Sequence, residues 1–372
     1  MGTLMIMSHV DLYSATAASS QVSVYFGTYT GKASKGIYHS QLDLATGHLS
    51  DPTLVGEATN PGFLAIHPKK RFLYSVGEVE KGGGVTAWSI DPKSGMLSKL
   101  NQQPSGGPGP THLVVDPAGK NVLVANYSGG SVACLPINTD GTLRPASAFV
   151  QHTGSSVNRS RQEAPHAHGI YTDPANRFVF VPDLGLDQVK IYRFDAENGT
   201  LTPNNPAFAA VAPGAGPRHF SFDPKGRFGF VINEMVCTMT AFSYDAKAGR
   251  LTEIHTVSTL PQGVAVDPSY STAEVFVHPN GKFLYGSNRG HDTIAVFSID
   301  SKGHLKLIEN EPSLAKIPRG FGIDPTGQYL IAGGQNSDNA FVFRIHQKTG
   351  HLEPTGQKVS VGSPVCVEFL SR

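Results

Sequence analysis

The residues best equipped for chemistry are one imidazole, one carboxylate and several guanidiniums, carried in short stretches that resemble one another: His168 in HAHGI, Arg218 in GPRH, Glu234 in INE, Arg289 in NRG and Arg319 in PRGF. Groups of these types can take a proton from water, hold an anion through paired N–H bonds, or face a developing oxyanion. His166 and His168, one residue apart, also raise the question of a metal site. No Asp, Glu or His with matching ligand spacing accompanies them, so an orienting or catalytic His168 is expected, with no metal and no cofactor. There is no Gly-x-Ser-x-Gly elbow, which argues against a serine nucleophile, and GGPGPTH lacks the lysine of a phosphate loop.

What would bring these side chains together is a repeat. Gly-x-Leu recurs with its glycine at Gly47, Gly95, Gly141, Gly199, Gly249, Gly303 and Gly350, so successive copies lie 46 to 58 residues apart. A second signature alternates with it, an Asp/His-Pro turn followed by an apolar run: HPKKRFLYSV, DPAGKNVLVAN, DPANRFVFVPD, DPKGRFGFVIN, HPNGKFLYGSN and DPTGQYLIAGG. Between signatures lie short runs rich in Val, Phe, Tyr and Ile. That pattern predicts one four-stranded antiparallel sheet per repeat and an all-β, seven-bladed propeller. Seven Gly-x-Leu turns face only six Asp/His-Pro turns, so one blade is expected to be split. SPVCVEFL from the C-terminus would supply its inner strand, and QVSVYFGTYT with GIYHSQLDL from the N-terminus would complete it and close the ring.

If the Asp/His-Pro turn joins the first two strands of a blade, residues before the first strand and after the second meet at the opposite end. Five residues before the turn stand Gly62, Thr111, His168, Arg218, Ala273 and Arg319; eleven after it stand Glu78, Tyr127, Leu184, Glu234, Arg289 and Gln335. These two rings are expected to face one mouth of the central channel, where the charges need an anion to settle them. His166 would share the rim. His112 and His219, each next to a ring position, are expected to be turned away by strand alternation. The stretch QHTGSSVNRSRQEAPHAH fills the longest gap between repeats and reads as a mobile surface loop on the same face, with Arg159 and Arg161 in solvent, the alternative being that they help recruit a phosphate.

Composition narrows the classes. The chain has 372 residues with a formal net charge of +1, which disfavours nucleic acid or an anionic membrane as partner. Its 41 glycines and 26 prolines suit many tight turns. The 3 cysteines, far apart and odd in number, offer no disulfide framework, and a cytoplasmic setting is expected. Residues 1–20 read as a flexible leader, the alternative being a degenerate export signal, and 21–372 as a single propeller domain.

The stretches HAHGIYTDPANRFVFVPDLG, GAGPRHFSFDPKGRFGFVINE, GKFLYGSNRG and IPRGFGIDPTGQYLIAGGQ resemble the lactonase family of seven-bladed propellers, with similarity from about Val22 to Phe369. That family includes propeller-type 6-phosphogluconolactonases and carboxy-cis,cis-muconate lactonizing enzymes. The resemblance implies a hydrolase of a small anionic sugar lactone, most specifically 6-phospho-D-glucono-1,5-lactone of the pentose phosphate pathway. It implies His168, Arg218, Glu234 and Arg289 as catalytic groups. Arg319 matches a further recurring residue, and together with Gln335 and His166 it is expected to bind substrate. The general base is either Glu234 or His168, and an ion pair with Arg218 would weaken Glu234 in that role. Two other functions fit the fold: a cycloisomerase acting on a carboxymuconate, and a non-catalytic binding platform.

Overall fold

The computed structural model describes residues 21–79 and 82–370; the leader assigned to 1–20 lies outside them. Among the described residues there is no helix, and the strands form seven four-stranded antiparallel sheets. Blade one is the split one. Its inner strand is Pro364–Leu370, paired antiparallel to Gln21–Thr28, which is followed outward by Gly36–Asp43 and Thr53–Glu57. The other six follow chain order, with inner strands Leu64–Ile66, Pro110–Val115, Tyr171–Thr172, Pro217–Phe222, Ser271–Val277 and Pro318–Ile323. Neighbouring inner strands pack side by side, and Pro364–Leu370 lies between Pro318–Ile323 and Leu64–Ile66, which closes the ring.

The two signatures have separate physical jobs. In the Asp/His-Pro turn, the Asp side chain folds back on its own turn: Asp116 accepts from the backbone N–H of Ala118, Lys120 and Asn121, and Asp173 from those of Arg177 and Phe178. Where His replaces Asp, the ring reaches across a blade boundary. His67 Nδ1 accepts from Lys69 N at 3.0 Å, which leaves Nε2–H to donate to Gly119 O of the next blade at 2.9 Å; His278 repeats this with Asn280 N and Gly327 O.

The Gly-x-Leu signature ties blades together. Its leucines are buried, and the core is a set of apolar layers between successive sheets rather than one central mass; Val24 and Phe26 of blade one, for example, pack with Ile331 and Val342 of blade seven. Its glycines, Gly199 apart, sit where a neighbouring aromatic ring leaves no room. Gly141 has φ +87°, and a Cβ there would lie 2.3 Å from the Phe72 ring of the preceding blade, while Tyr74 Oη donates to Gly141 O at 2.9 Å.

The inner strands carry one extra residue at the positions that matter. Thr111 interrupts the pairing between Pro110↔Asn126 and His112↔Ala125, Arg218 that between Pro217↔Asn233 and His219↔Ile232, and Arg319 that between Pro318↔Gly334 and Gly320↔Gly333. In blade four the pairing skips from the bridge Ala167↔Asp183 to the pair Tyr171↔Phe180, and His168, whose N–H donates to Pro182 O at 3.0 Å, lies at the start of the gap. Such bulges re-aim side chains. The bulge corrects the alternation argument for His112 and His219. These rings, from blades three and five, lie 5.0 Å apart across the axis, and both are buried.

The glycine lock is testable. Gly141→Ala is expected to cost about 2–4 kcal/mol, from a left-handed backbone and an overpacked Phe72, read as a lower urea midpoint at unchanged m-value.

Candidate active site

At the end of the channel opposite the Asp/His-Pro turns lies a cavity of about 990 Å³ whose walls include His168, Glu234, Arg161, Arg289 and Arg319. Ring positions Gly62, Thr111, Glu78 and Tyr127 line it as well. These side chains arrive by several routes. His168 comes from the lapsed strand of blade four and Arg319 from the bulge of blade seven. Glu234 and Arg289 stand at the ends of second strands, where Glu234 N donates to Gly216 O at 2.7 Å.

Glu234 is the hub. Arg161 Nη2 donates to its Oε1 at 2.6 Å; Arg218 Nε at 3.1 Å and Arg289 Nη2 at 3.0 Å reach Oε2; His168 Nε2 lies 3.9 Å from Oε2. The guanidiniums are also tied to backbone carbonyls, Arg218 Nη1 to Ala273 O and Arg289 to Thr272 O. Burial raises the Glu234 carboxyl, but Arg289, Arg218 and Arg161 outweigh it and bring it down to about 2. His168 is held well below its ordinary value by burial, then by Arg218, His219 and Arg319, so the imidazole is neutral near pH 7. Arg319 has no carboxylate partner among the described residues and lies over the Tyr29 ring, 5.6 Å from its centroid.

The structure sorts the sequence candidates. His168, Glu234, Arg289 and Arg319 line the cavity. Arg218 is 2% exposed and absent from its wall, so it acts from behind Glu234. Gln335 does not line it, and its Oε1 is buried without a hydrogen-bond partner. His166 does not line it either: it stacks on Tyr127 at 4.7 Å and faces Glu163 at 3.5 Å. Among the described residues no three His, Cys, Asp or Glu are grouped to hold a metal ion.

Arg161 is the residue that sequence reasoning left in solvent. Its loop is pinned by Asp187, which accepts from Ser156 Oγ, Gln162 Nε2, Gly214 N and Gly216 N at 2.6–2.8 Å. Gln162 also donates to Leu184 O at 2.8 Å. The legible signal was a basic pair just before HAHG; the missing information was Asp187, far enough along the chain to hide the contact.

Below the cavity the channel continues as a second polar layer. His168 and His219 rings lie 5.2 Å apart, His219 Nδ1 stands 2.7 Å from Glu274 Oε1, and a smaller cavity of about 280 Å³ is lined by His112, Tyr171, Glu274 and Glu368. Burial lifts the Glu274 carboxyl to about 7 against the pull of Arg218 and the Val275 amide.

A ring enclosing a basic cleft with one neutral imidazole and one buried carboxylate defines an axial-channel enzyme of the propeller class. The comparisons make the assignment specific: a family profile described as "Lactonase, 7-bladed beta-propeller" matches residues 23–369, and the chain belongs to that family. It is 38% identical over 347 residues to a Bacillus subtilis protein named 6-phosphogluconolactonase, covering 93% of this chain and 97% of that one. A Formosa agariphila protein of the same name is 32% identical over 356 residues, covering 94% and 99%. Among solved structures, the Pseudomonas aeruginosa periplasmic gluconolactonase superposes with a TM-score of 0.88 at 32% identity, covering 94% of this chain and 99% of that one.

Two outcomes check this electrostatic description. Asp187→Ala should cost about 2–4 kcal/mol by stranding several buried donors, and should speed hydrogen exchange across 154–163. The two carboxylates have opposite pH signatures. Stability from Glu234 is complete above ~4.3 and is lost as pH falls through about 2. Glu274, raised when folded, contributes fully below ~4.3 and loses that contribution as pH rises through about 7. Glu274→Gln should therefore gain on the wild type in denaturation midpoint between about pH 5 and pH 8.

Proposed function

We propose that the protein hydrolyses a sugar-derived lactone, 6-phospho-D-glucono-1,5-lactone in particular, to the open hydroxy acid. Family membership and the relatives' names support the reaction class. The observation that carries the finer reading is that a neutral imidazole and a guanidinium without a carboxylate partner among the described residues share one cleft. In this reading His168 Nε2 takes a proton from water as its oxygen adds to the lactone carbonyl. Arg289 faces the oxyanion, and Arg319 with Arg161 holds the phosphate. The ring C–O bond then breaks and the departing ring oxygen recovers the proton from His168. Glu234, held near 2 by its arginines, is too weak a base for this step and instead fixes Arg289 and Arg161 in place. Three free, buried cysteines support a reducing, cytoplasmic setting, which cell fractionation checks.

The test is a rapid spectroscopic assay with fresh phosphogluconolactone, corrected for spontaneous opening. His168→Ala is expected to lower kcat by about 10²–10⁴ with a small change in KM. Arg319→Ala should raise KM by about tenfold for the phosphorylated lactone and leave unphosphorylated gluconolactone almost unaffected. Turnover of a carboxymuconate without lactone opening would overturn the reading in favour of a cycloisomerase.

A further inference from the structure

Opening a lactone yields a carboxylic acid that ionises at neutral pH, so each turnover leaves one proton in excess. In this cleft the proton starts in poor surroundings. An imidazolium at His168 would sit beside Arg218 and Arg319, which disfavour it electrostatically. The carboxylate beside His168, Glu234, is already shared among three guanidiniums, and Glu78, the other carboxylate on the cleft wall among the described residues, accepts from Asn60 Nδ2 at 2.8 Å.

Toward the other end of the channel the polarity reverses. His168 Nδ1 and His219 Nε2 are both buried and both without a hydrogen-bond partner in the protein, in rings whose centroids are 5.2 Å apart. Two orphaned polar atoms on adjacent buried rings are what a single enclosed water would satisfy. On its far side His219 Nδ1 is 2.7 Å from Glu274 Oε1, and Glu274 borders the 280 Å³ cavity that Glu368 also lines.

We propose that His219 and Glu274 form a proton exit from the active site, running down the propeller axis and away from the substrate's own entrance. The inference rests on the lactone-hydrolysis reading, with His168 as base. In the resting state both rings carry Nδ1–H, so that His168 Nε2 is free to accept and His219 donates to Glu274. The proton of the new carboxylic acid passes to His168 Nε2. His168 gives up its Nδ1 proton through the bridging water to His219 Nε2, and His219 gives its own Nδ1 proton to Glu274 Oε1. Oxidation states are unchanged, one proton is taken up and one released at each ring, and the return of both rings to the Nδ1–H form completes the cycle. Glu274 then passes the proton to the lower cavity.

The groups facing Glu274 suit a transient acceptor. Arg218 and Arg319 favour its ionised form, while Glu368 repels it; His112, Tyr171 and apolar residues such as Phe63 and Leu113 make up the rest of the walls. Neither carboxyl is locked in one state near neutrality, since burial lifts Glu274 to about 7, and burial with Glu274 lifts Glu368 to about 8.

Neither His219 nor Glu274 touches the cleft, so both are positioning residues and the test must separate relay from packing. Glu274→Gln keeps the shape and a hydrogen-bond acceptor for His219. In dilute buffer its kcat for the lactone should fall by about tenfold or more at unchanged KM, and added imidazole, which can take the proton from His168 through the open cleft, should restore it. Packing damage alone would not respond to imidazole. A Glu274→Gln protein with wild-type kcat at every buffer concentration would overturn the relay, as would a loss that imidazole does not rescue. His219→Gln gives the same readout should the first variant not fold. In the wild type, a bowed dependence of kcat on the deuterium fraction of the solvent is expected, and a straight line, meaning one proton in flight, counts against it. Lack of lactone turnover by the wild-type protein sinks the hydrolysis reading and the relay together, whereas an active wild type with an indifferent Glu274→Gln sinks only the relay.

Discussion

One buried carboxylate bridges guanidiniums that reach it from three directions: Arg161 from the loop before blade four's inner strand, Arg218 from blade five and Arg289 from blade six. Without Glu234 these cations would repel one another, Arg218 and Arg289 with little water to screen them. With it, they stand at fixed distances, tied additionally to the carbonyls of Ala273 and Thr272. A buried ion pair of this kind contributes little net stability once desolvation is counted, but breaking it by removing one partner is costly. Its value lies in geometry. Glu234 holds the arginines in register, and in the proposed reaction His168 is the cleft's proton acceptor.

The register of those groups is written in backbone. A regular antiparallel strand would send alternate side chains to opposite faces, and only one residue per inner strand could look into the mouth. The bulges at Thr111, Arg218 and Arg319, and the lapse around His168, add one residue to each strand where it meets the cleft. Consecutive side chains then share the axis at two depths. Arg218 lies behind the cleft with His219 beside the axial rings, and Ile170 N, freed from the ladder, donates to His112 Nδ1 at 3.2 Å instead.

The blades must not slide for this to hold, and the ring resists sliding at its outer parts. The buried leucine and close-packed glycine of each Gly-x-Leu turn, with Tyr25, Tyr74 and Tyr285 donating to Gly95, Gly141 and Gly350 of the next blade, key each sheet to its neighbour. His67 and His278 do the same near the axis. Closure by the C-terminal strand makes each of these contacts part of a loop of contacts, so a shift at one boundary strains the others.

Periodicity alone determined the all-β ring, its seven blades and the split first blade, because a left-handed glycine and a turn-capping aspartate are local demands that a repeat displays openly. It also selected His168, Glu234, Arg289 and Arg319, since equivalent places in equivalent blades converge. What only the tertiary structure decided are the contacts between places that are not equivalent. Arg161 reaches Glu234 because Asp187 anchors its loop; Arg218 withdraws behind Glu234; Gln335 and His166 turn from the cleft; His112, His219 and Glu274 fill the axis below it. A bulge costs one residue and leaves no mark in residue type, and a loop's anchor lies on another strand. Strand alternation therefore predicts the wrong face at the positions where the channel was built.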